Sequence, residues 1–389
     1  IVKGSISVQG TEAEPVTFTT SETVGRAGQW GGIKLEGQSV TGEFKHAVVE
    51  YSSYGIYFSG ISYRTVKIEE SVIRYNSDYG IRGSRDSSNN DNRDANITVK
   101  NTQVVDNYKN GIYASDSTYE KWEITGCKIL RNGEYGIYIE RFRRLTLKDN
   151  EVKVNLNGIY FNYPNTDGGE MLVTGNEISE NKSNGFYQRY LGGSNPFKMN
   201  NNKINSNGGY GVEFGRWEST HGDFEFKGNE IKNNSGNGFY TDYHEFQKSV
   251  VFEDNVIENN SGHGVRFSRI RGNATFQNNS IKKNHNSGLY VLKENDSSTE
   301  IVIKDNVVSE NKQGSGTQDD NGITLYYQSS ATAKITGNTV EDGGGYGIRV
   351  ENNSTLTSAQ VEGNTVKGNG RSGLRVYGRL LPSVKGNTF

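Results

Sequence analysis

Short runs in which apolar and polar residues alternate recur along the whole chain. In FEFKGNEIKN, which starts at Phe224, every second residue of the first run is apolar, and a Gly-Asn pair leads into the next run. Such alternation is typical of short half-buried β-strands, whereas an amphipathic helix repeats every 3.6 residues. No helical periodicity of useful length is present. The pattern therefore predicts an all-β protein built from many short strands.

Two short phrases repeat in phase along the chain. The first is Gly followed by an apolar residue, and from Gly55 to Gly373 it makes 12 intervals over 318 residues, or about 26 residues each. The second is Asn-x-(Ile/Val)-x-x-Asn, as in NEISEN from Asn176 and NVIENN from Asn255. A third alternating run lies between them. Each repeat therefore holds three short strands, which predicts a chain that winds into a coil.

Stacking of successive coils explains how such short strands become stable. A strand stacked on its copy one coil later gains a parallel ladder and buries its inward side chain. Asn residues at equivalent corners are expected to form a side-chain ladder, and Gly or Asn tolerates the left-handed backbone of a sharp corner. Cys127 falls in this corner slot, as do Ser71 and Thr102. We predict that Cys127 is a small buried substitute and not a reactive thiol.

The repeat resembles that of the right-handed parallel β-helix proteins of the pectate-lyase-like superfamily, and the resemblance covers nearly the whole chain. It implies an all-β, right-handed parallel β-helix (solenoid) of about 14–15 coils with three short strands per coil, as a single domain over residues 1–389. The opening segments GSISVQG, PVTFT and WGGIKLEG are similar to the first coils of bacterial secreted or surface β-helix proteins. This likeness implies an extracellular or cell-surface location.

Alternation also predicts which side chains face outward. If the residue after the repeated Gly points inward, as for Ile137 and Phe239, the next residue points outward. This first outward column contains Tyr57, Arg82, Tyr113, Tyr138, Tyr160, Tyr187, Glu213, Tyr240, Arg266, Tyr290, Thr324, Arg349 and Arg375. A second column, three residues further along, contains Asp116, Arg141, Tyr163, Tyr190, Arg216, Tyr243, Arg269, Lys293 and Tyr327.

The middle of these columns is a candidate carbohydrate-binding track. Tyr rings pack against sugar C–H surfaces, and Arg and acidic side chains bond hydroxyls or carboxylates. The superfamily resemblance supports this hypothesis, because related enzymes bind polysaccharide along one parallel sheet. The predicted binding residues are Tyr138, Arg141, Tyr160, Tyr163, Tyr187, Tyr190, Glu213, Arg216, Tyr240, Tyr243, Arg266 and Arg269. A competing interpretation is that the tyrosines only stack on one another along the ladder.

Catalysis within the track is an alternative hypothesis. A lyase needs a base and a positive group near an acidic sugar, and a glycoside hydrolase needs two facing carboxylates. The stretch NGFYTDYHE, from Asn237, concentrates such groups, and the candidates if the protein is an enzyme are Glu213, Tyr240, Asp242, His244 and Arg266. A third hypothesis is a structural stalk or adhesin that binds protein rather than glycan.

Composition narrows the partners and cofactors. A formal charge of −2 does not favour nucleic acid, and no apolar run approaches the roughly 20 residues that span a bilayer. No cofactor is expected, except that two Asp-rich insertions, SRDSSNNDNRDAN and KQGSGTQDDNG, allow a calcium site. The sequence does not distinguish among polysaccharides.

Overall fold

The computed structural model divides the chain into two compact units, Ile1–Asn195 and Pro196–Phe389. The structure describes residues 1–37, 40–59, 65–84, 95–115, 120–162, 169–189, 196–215, 219–220, 222–294, 299–312, 320–327 and 331–389.

Three parallel sheets make up the first unit, and every coil adds one strand to each. The first sheet consists of Ser5–Gln9, Thr41–Lys45, Thr65–Glu69, Ala95–Lys100, Glu120–Thr125, Arg144–Lys148 and Met171–Thr174. The second sheet consists of Val16–Phe18, Ala47–Glu50, Val72–Arg74, Gln103–Val105, Lys128–Leu130, Glu151–Lys153 and Glu177–Ser179. The third sheet consists of Ile33–Glu36, Tyr54–Ser59, Tyr79–Ser84, Ile112–Ser115, Tyr135–Ile139, Asn157–Phe161 and Phe186–Gln188.

The second unit repeats this arrangement. Its first sheet begins with Phe197–Asn200, Phe224–Lys227, Val250–Glu253, Ala274–Gln277, Glu300–Lys304 and Thr332–Thr336. Its second sheet consists of Lys203–Asn205, Glu230–Lys232, Val256–Glu258, Ser280–Lys282, Val307–Ser309, Thr339–Glu341 and Thr365–Lys367. Its third sheet begins with Val212–Phe214, Phe239–Thr241, Val265–Ile270, Leu289–Lys293 and Ile323–Tyr327.

Four further strands complete the second unit. Ile348–Glu362 and Leu374–Lys385 are long enough to run through both the third and the first sheet, and they pair with each other. The short strands Ser219–Thr220 and Glu245–Phe246 pair beside the third sheet. Within the described residues no helix is present, so the all-β prediction is confirmed.

Inward-facing side chains form the core at the positions that alternation predicted. Ile56, Ile112, Ile137, Phe186, Phe239 and Val265, each following a repeated Gly, are fully buried. In the second unit the core is rich in aromatic rings, with centroid distances of 5.0 Å between Phe226 and Phe239 and 4.7 Å between Phe239 and Phe267. Edge-to-face and offset stacking of such rings adds stability beyond the area they bury.

Two columns of buried Asn side chains run beside the second sheet of each unit. In the column that precedes this sheet, Asn150 Nδ2 donates to Asn176 Oδ1 at 2.9 Å. The same column in the second unit is unbroken through Asn202, Asn229, Asn255, Asn279, Asn306, Asn338, Asn364 and Asn387. The predicted Asn ladder is therefore confirmed, and Cys127 occupies one of its slots, fully buried, with its backbone N–H donating to Asn150 Oδ1.

Many left-handed corners fall on Gly or Asn as expected, such as Gly228 at 63° and Asn233 at 57°, but these are neither the ladder Asn nor the repeated Gly from Gly55 onward. Positive φ falls on the residue just before each ladder Asn, for example Asp149 at 54° and Val154 at 59°. The repeated Gly is selected for space instead, because a Cβ on Gly111 would lie 2.7 Å from the carbonyl oxygen of Gly136 and 2.8 Å from Asn132 Nδ2. Close packing of neighbouring coils, and not backbone conformation, fixes these glycines.

Candidate functional site

The outward face of the third sheet in the second unit brings most of the predicted catalytic residues together. Glu213 is in register with Tyr240, Tyr240 with Arg266, and Arg266 with Tyr290. All four side chains are half-buried, since each strand turns its alternate residues outward. Parallel strands lie about 4.8 Å apart, so these four residues form a short surface column, here called the central column.

The guanidinium of Arg266 is held between two tyrosine rings of the central column. Its carbon lies 4.9 Å from the ring centroid of Tyr290 and 5.9 Å from that of Tyr240. Its Nη1 is 3.5 Å from Nε2 of His263, which is a long contact. Its Nε is buried and has no hydrogen-bond acceptor among the described residues. A buried donor without an acceptor is costly, and such groups occur disproportionately at functional sites.

Two carboxylates accompany the central column. Glu213 and Asp242 are both half-buried, and the backbone N–H of Asp242 donates to the carbonyl of Phe214 at 3.0 Å. Burial raises the pKa of Tyr240, and the charge of Asp242 raises it further while Arg266 opposes this effect. Burial followed by the charge of Glu213 likewise raises the pKa of Tyr210. These tyrosines are therefore protonated hydrogen-bond donors at neutral pH, which does not favour Tyr240 as a base.

His244 lies in the core and not on the surface. It is fully buried, with ring centroids 5.3 Å from Phe214 and 5.0 Å from Phe246. Burial lowers its pKa to about 3, so the imidazole is neutral at physiological pH. The next residue, Glu245, is also buried and forms an ion pair of 3.0 Å with Arg271. Of the DYHE segment, only Asp242 and Tyr243 reach the surface.

The second column faces outward only where a strand ends or bulges. Tyr243 follows the end of its strand with a φ of 55°, and Arg269 lies beside a register shift between Phe267 and Ile270. Arg269 reaches Glu294 at 3.2 Å and stacks 5.7 Å from the ring centroid of Tyr243. Lys293 contradicts the prediction, because its strand continues in regular alternation and turns the side chain inward, where Nζ donates to the carbonyl of Arg271.

Thr324, expected in the first outward column, is also buried. It accepts a hydrogen bond from Asn321 Nδ2 at 3.0 Å, which satisfies its hydroxyl inside the protein.

The predicted binding residues of the first unit form a stack of rings. The centroid distances are 4.9 Å for Tyr113 and Tyr138, 5.1 Å for Tyr138 and Tyr160, and 4.9 Å for Tyr160 and Tyr187, with the rings within 28° of parallel. Arg141 is half-buried at the end of its strand. Because each ring face covers the next, mainly edges and hydroxyls of this stack remain for a ligand. This geometry favours the interpretation that these tyrosines stabilise the ladder.

Family comparison agrees with the repeat and the fold. The family model described as right handed beta helix region matches residues 31–189, 165–249, 190–333 and 316–389, which together cover most of the chain. The chain belongs to the right-handed β-helix family. The resemblance to the pectate-lyase-like superfamily and the predicted right-handed parallel β-helix are thereby confirmed.

Two of the similar solved structures share low sequence identity with this chain. The A-module of the mannuronan C-5 epimerase AlgE6 of Azotobacter vinelandii is 17% identical with a TM-score of 0.47, over 92% of this chain and 90% of that one. A mutant of the periplasmic alginate epimerase AlgG is 11% identical with a TM-score of 0.34, over 91% of this chain and 76% of that one. No curated protein sequence matches the chain.

Two residues beside the central column are not predicted by the sequence. Tyr210 stacks on Tyr240 at 5.2 Å, and His263 is buried beside Arg266. The signal for the first was available, since a Tyr directly precedes the repeated Gly at Tyr54, Tyr79, Tyr135, Tyr210 and Tyr346. The alternation argument covers only the residues after that Gly, so it does not include this neighbouring tyrosine column.

Some predicted residues lie outside the described part of the chain. These are Tyr163, Tyr190 and Arg216 of the predicted track, together with Asp116 and most of both Asp-rich insertions. The calcium expectation therefore stays a prediction. Among the described residues, no group of three or more His, Cys, Asp or Glu side chains is arranged to hold a metal ion. Over the same residues, no helix is both long and apolar enough to cross a membrane.

Proposed function

We propose that the protein binds an acidic polysaccharide along the third sheet of its second unit, at the central column Glu213, Tyr240, Arg266 and Tyr290. The observation that carries this proposal is the environment of Arg266, a guanidinium stacked between two tyrosine rings with its buried Nε lacking an acceptor among the described residues. Stacking orients the planar donor group, so less entropy is lost when it binds an anion.

The chemistry of the column suits a sugar that carries an acid group. Protonated Tyr210 and Tyr240 donate hydrogen bonds to hydroxyls, and Glu213 and Asp242 accept them. Arg266 recognises a carboxylate, because its fork of N–H groups matches two oxygens. The spacing of about 4.8 Å per coil places these groups in a row that an extended polymer can follow. Such a ligand implies an extracellular or cell-surface protein, as the sequence resemblance predicts.

Binding is tested with a panel of charged and neutral polymers. Affinity electrophoresis and calorimetry with polygalacturonate, alginate and neutral dextran measure whether the acid group matters. We expect binding to the uronates and at least about a tenfold loss for Arg266→Gln, which corresponds to about 1.4 kcal/mol.

A matched control exists in the first unit. Arg82 is also stacked on tyrosine rings, at 4.9 Å from Tyr57 and 5.1 Å from Tyr79. Arg82→Gln therefore removes a similar stacked guanidinium away from the central column, and we expect affinity within about twofold of wild type. The proposal fails if no acidic polymer binds, or if Arg82→Gln and Arg266→Gln weaken binding equally.

Hydrolysis within the same column is a second candidate function. Glu213 and Asp242 are half-buried carboxylates on neighbouring coils, two positions out of register. A glycoside hydrolase uses two such carboxyl groups, one as general acid and the other as base or nucleophile. A lyase that uses Tyr240 as its base is less well supported, because the raised pKa keeps that phenol protonated.

New reducing ends distinguish the enzyme from the binding protein. Incubation of each polymer with wild type, Glu213→Gln and Asp242→Asn is followed by reducing-end titration and by ultraviolet absorbance of unsaturated ends. New reducing ends without ultraviolet absorbance, lost in both variants, support hydrolysis. New reducing ends together with ultraviolet absorbance support elimination. If neither signal appears, the binding function remains.

A further inference from the structure

A second cluster of charged side chains lies on the third sheet of the second unit, at residues that neither the central column nor the predicted track includes. Arg349 and Arg375 are in register on the strands Ile348–Glu362 and Leu374–Lys385. Tyr346 and Arg371 lie in the corners just before these two strands. Together with Glu351 these residues form what we call the arginine cluster.

Two guanidinium groups converge on one phenol in this cluster. Arg375 Nη1 donates to Tyr346 Oη at 2.5 Å, and its guanidinium carbon lies 4.9 Å from the ring centroid. The guanidinium carbon of Arg371 lies 5.4 Å from the same centroid. Arg371 is exposed, while Tyr346 and Arg375 are half-buried. The phenol oxygen therefore acts as an acceptor that holds two cations at the surface.

Negative charge in the cluster falls short of its positive charge. Glu351 is buried and pairs with Arg349 at 2.8 Å, with Arg375 Nε further away at 3.7 Å. Glu351 is therefore shared by Arg349 and Arg375, and the cluster as defined contains three guanidinium groups and this one carboxylate. A surface with this excess of donors attracts an oxyanion.

Tyr346 differs from the other tyrosines for which a shift is resolved. Hydrogen bonds from Arg371 and then Arg375 lower the pKa of Tyr346, whereas burial raises the pKa of Tyr79, Tyr113, Tyr135, Tyr138, Tyr210 and Tyr240. The guanidinium groups of Arg371 and Arg375 therefore stabilise negative charge at the position of the phenol oxygen. An incoming carboxylate or sulfate oxygen satisfies the same donors.

We propose that the arginine cluster binds the carboxylate or sulfate group of an acidic sugar chain, with Arg371 and Arg375 as the ligands and Tyr346 as the positioning residue that holds them together. This inference rests on the proposed function only in assigning the anion to a sugar chain. The cluster lies on the same sheet as the central column, four coils further along from Tyr240 to Arg349.

Polymer binding tests the cluster directly. Wild type, the double variant Arg371→Gln/Arg375→Gln and the control Arg131→Gln are titrated with polygalacturonate, dextran sulfate and neutral dextran. Arg131 is a suitable control because it already forms two hydrogen bonds with Asp106, at 2.7 and 2.8 Å. We expect the double variant to bind the preferred anionic polymer at least about tenfold more weakly and Arg131→Gln to match wild type. A stronger response to polygalacturonate assigns the site to carboxylate, and a stronger response to dextran sulfate assigns it to sulfate.

Ionisation of Tyr346 gives a second measurement that needs no polymer. Its phenolate is followed by ultraviolet difference titration of wild type against Tyr346→Phe, in sodium sulfate and in sodium chloride at equal ionic strength. Bound sulfate competes with the phenolate for Arg371 and Arg375, so sulfate raises the pKa of Tyr346. Conversely, affinity for the anion falls as pH rises through the pKa of Tyr346, and Tyr346→Phe loses that dependence.

The outcomes separate this inference from the proposed function. If sulfate raises the pKa of Tyr346 but no polymer binds, the arginine cluster is an anion site and the proposed polysaccharide function is wrong. Polymer binding that falls in Arg266→Gln but not in the double variant, with no sulfate effect on Tyr346, overturns the arginine cluster and leaves the central column.

Discussion

The two units place different side chains in the same structural slot. In the first unit, the outward slot of the third sheet holds Tyr113, Tyr138, Tyr160 and Tyr187 in successive coils, with ring centroids 4.9 to 5.1 Å apart. In the second unit the slot holds Tyr240, Arg266 and Tyr290, so that one guanidinium lies between two rings. The first unit has such an arrangement only before its stack, where Arg82 lies in register between Tyr57 and Tyr113. In a tyrosine stack each ring covers the face of the next ring, so these faces are not available to a ligand. In a column where Arg alternates with Tyr, polar donors lie next to aromatic surface.

The same repeated position can therefore hold side chains that stabilise the coils or side chains that are suited to bind a ligand. Each coil offers an equivalent outward position at the same spacing, so the side chain placed there decides what the surface does. Stacked tyrosines in the first unit stabilise the coil that carries them. The second unit instead accumulates charge on this face, and its core contains a histidine among phenylalanines.

Acid should destabilise the second unit through His244. Its pKa is about 3 in the folded protein and close to 6.5 when unfolded, so the unfolded chain binds the extra proton in this range. Stability is therefore full above about pH 6.5 and is lost as pH falls toward 3, by on the order of 4 kcal/mol. Chemical unfolding between pH 7 and 4 measures the unfolding free energy of wild type and of His244→Phe. This free energy should depend less on pH in the variant than in wild type.

The exposed His285 provides the control for this pH effect. His285→Gln should keep the full acid sensitivity of wild type. Equal pH dependence in wild type and His244→Phe would show that His244 has no part in acid unfolding.

Tyr113 and Tyr290 should have opposite roles in stability and binding. Tyr113 stacks between Tyr79 at 4.7 Å and Tyr138 at 4.9 Å, so Tyr113→Ala should cost about 2 kcal/mol of unfolding free energy and leave glycan affinity unchanged. Tyr290 supports Arg266 at 4.9 Å, so Tyr290→Ala should weaken binding by roughly tenfold with a smaller loss of stability. Thermal unfolding and calorimetry on both variants measure the two effects, and the contrast between the units collapses if both variants lose affinity alike.

Periodicity accounts for what was predictable about these positions. Because alternation has a period of two, the buried Ile137 and Phe239 and the outward Tyr138 and Tyr240 follow from the position of the repeated Gly alone. The Asn ladder and the slot of Cys127 follow from the same phase. These predictions depend only on the length and phase of the repeat, and they require no knowledge of which side chains contact one another.

The candidate site was less predictable, because it depends on where strands end. His244 follows a strand that stops at Thr241, and a two-residue strand then turns it into the core. Arg269 faces outward because of a local register shift, whereas Lys293 faces inward because its strand continues. The arginine cluster joins residues of two coils through Tyr346, which lies before the repeated Gly. Such departures from the repeat are set by local packing, which the period does not encode.

The Asn ladder offers a direct way to make the first unit more like the second. Cys127 lies at the end of the Asn ladder of the first unit, between Thr102 and Asn150, and its Sγ lies 3.3 Å from the carbonyl of Val99. An Asn there would donate to Asn150 Oδ1 and to that carbonyl, as Asn150 does to Asn176 and Ile124. Cys127→Asn should raise the unfolding free energy by about 1 kcal/mol. Chemical unfolding under reducing conditions measures it, with Cys127→Ala as the control that fills the slot without donors.

The smallest expected effect concerns a strained corner of the first unit. Val154 has a φ of 59°, a left-handed conformation that is unfavourable for a β-branched residue, and its side chain is 42% exposed. Val154→Gly removes this strain, and after the entropy cost of Gly in the unfolded chain the net gain should be about 0.5 kcal/mol. Asn259, in the equivalent corner of the second unit at 56°, is the control, because Asn tolerates this conformation and Asn259→Gly should therefore gain less. Equal gains at both corners would mean that the β-branch of Val154 adds no strain of its own.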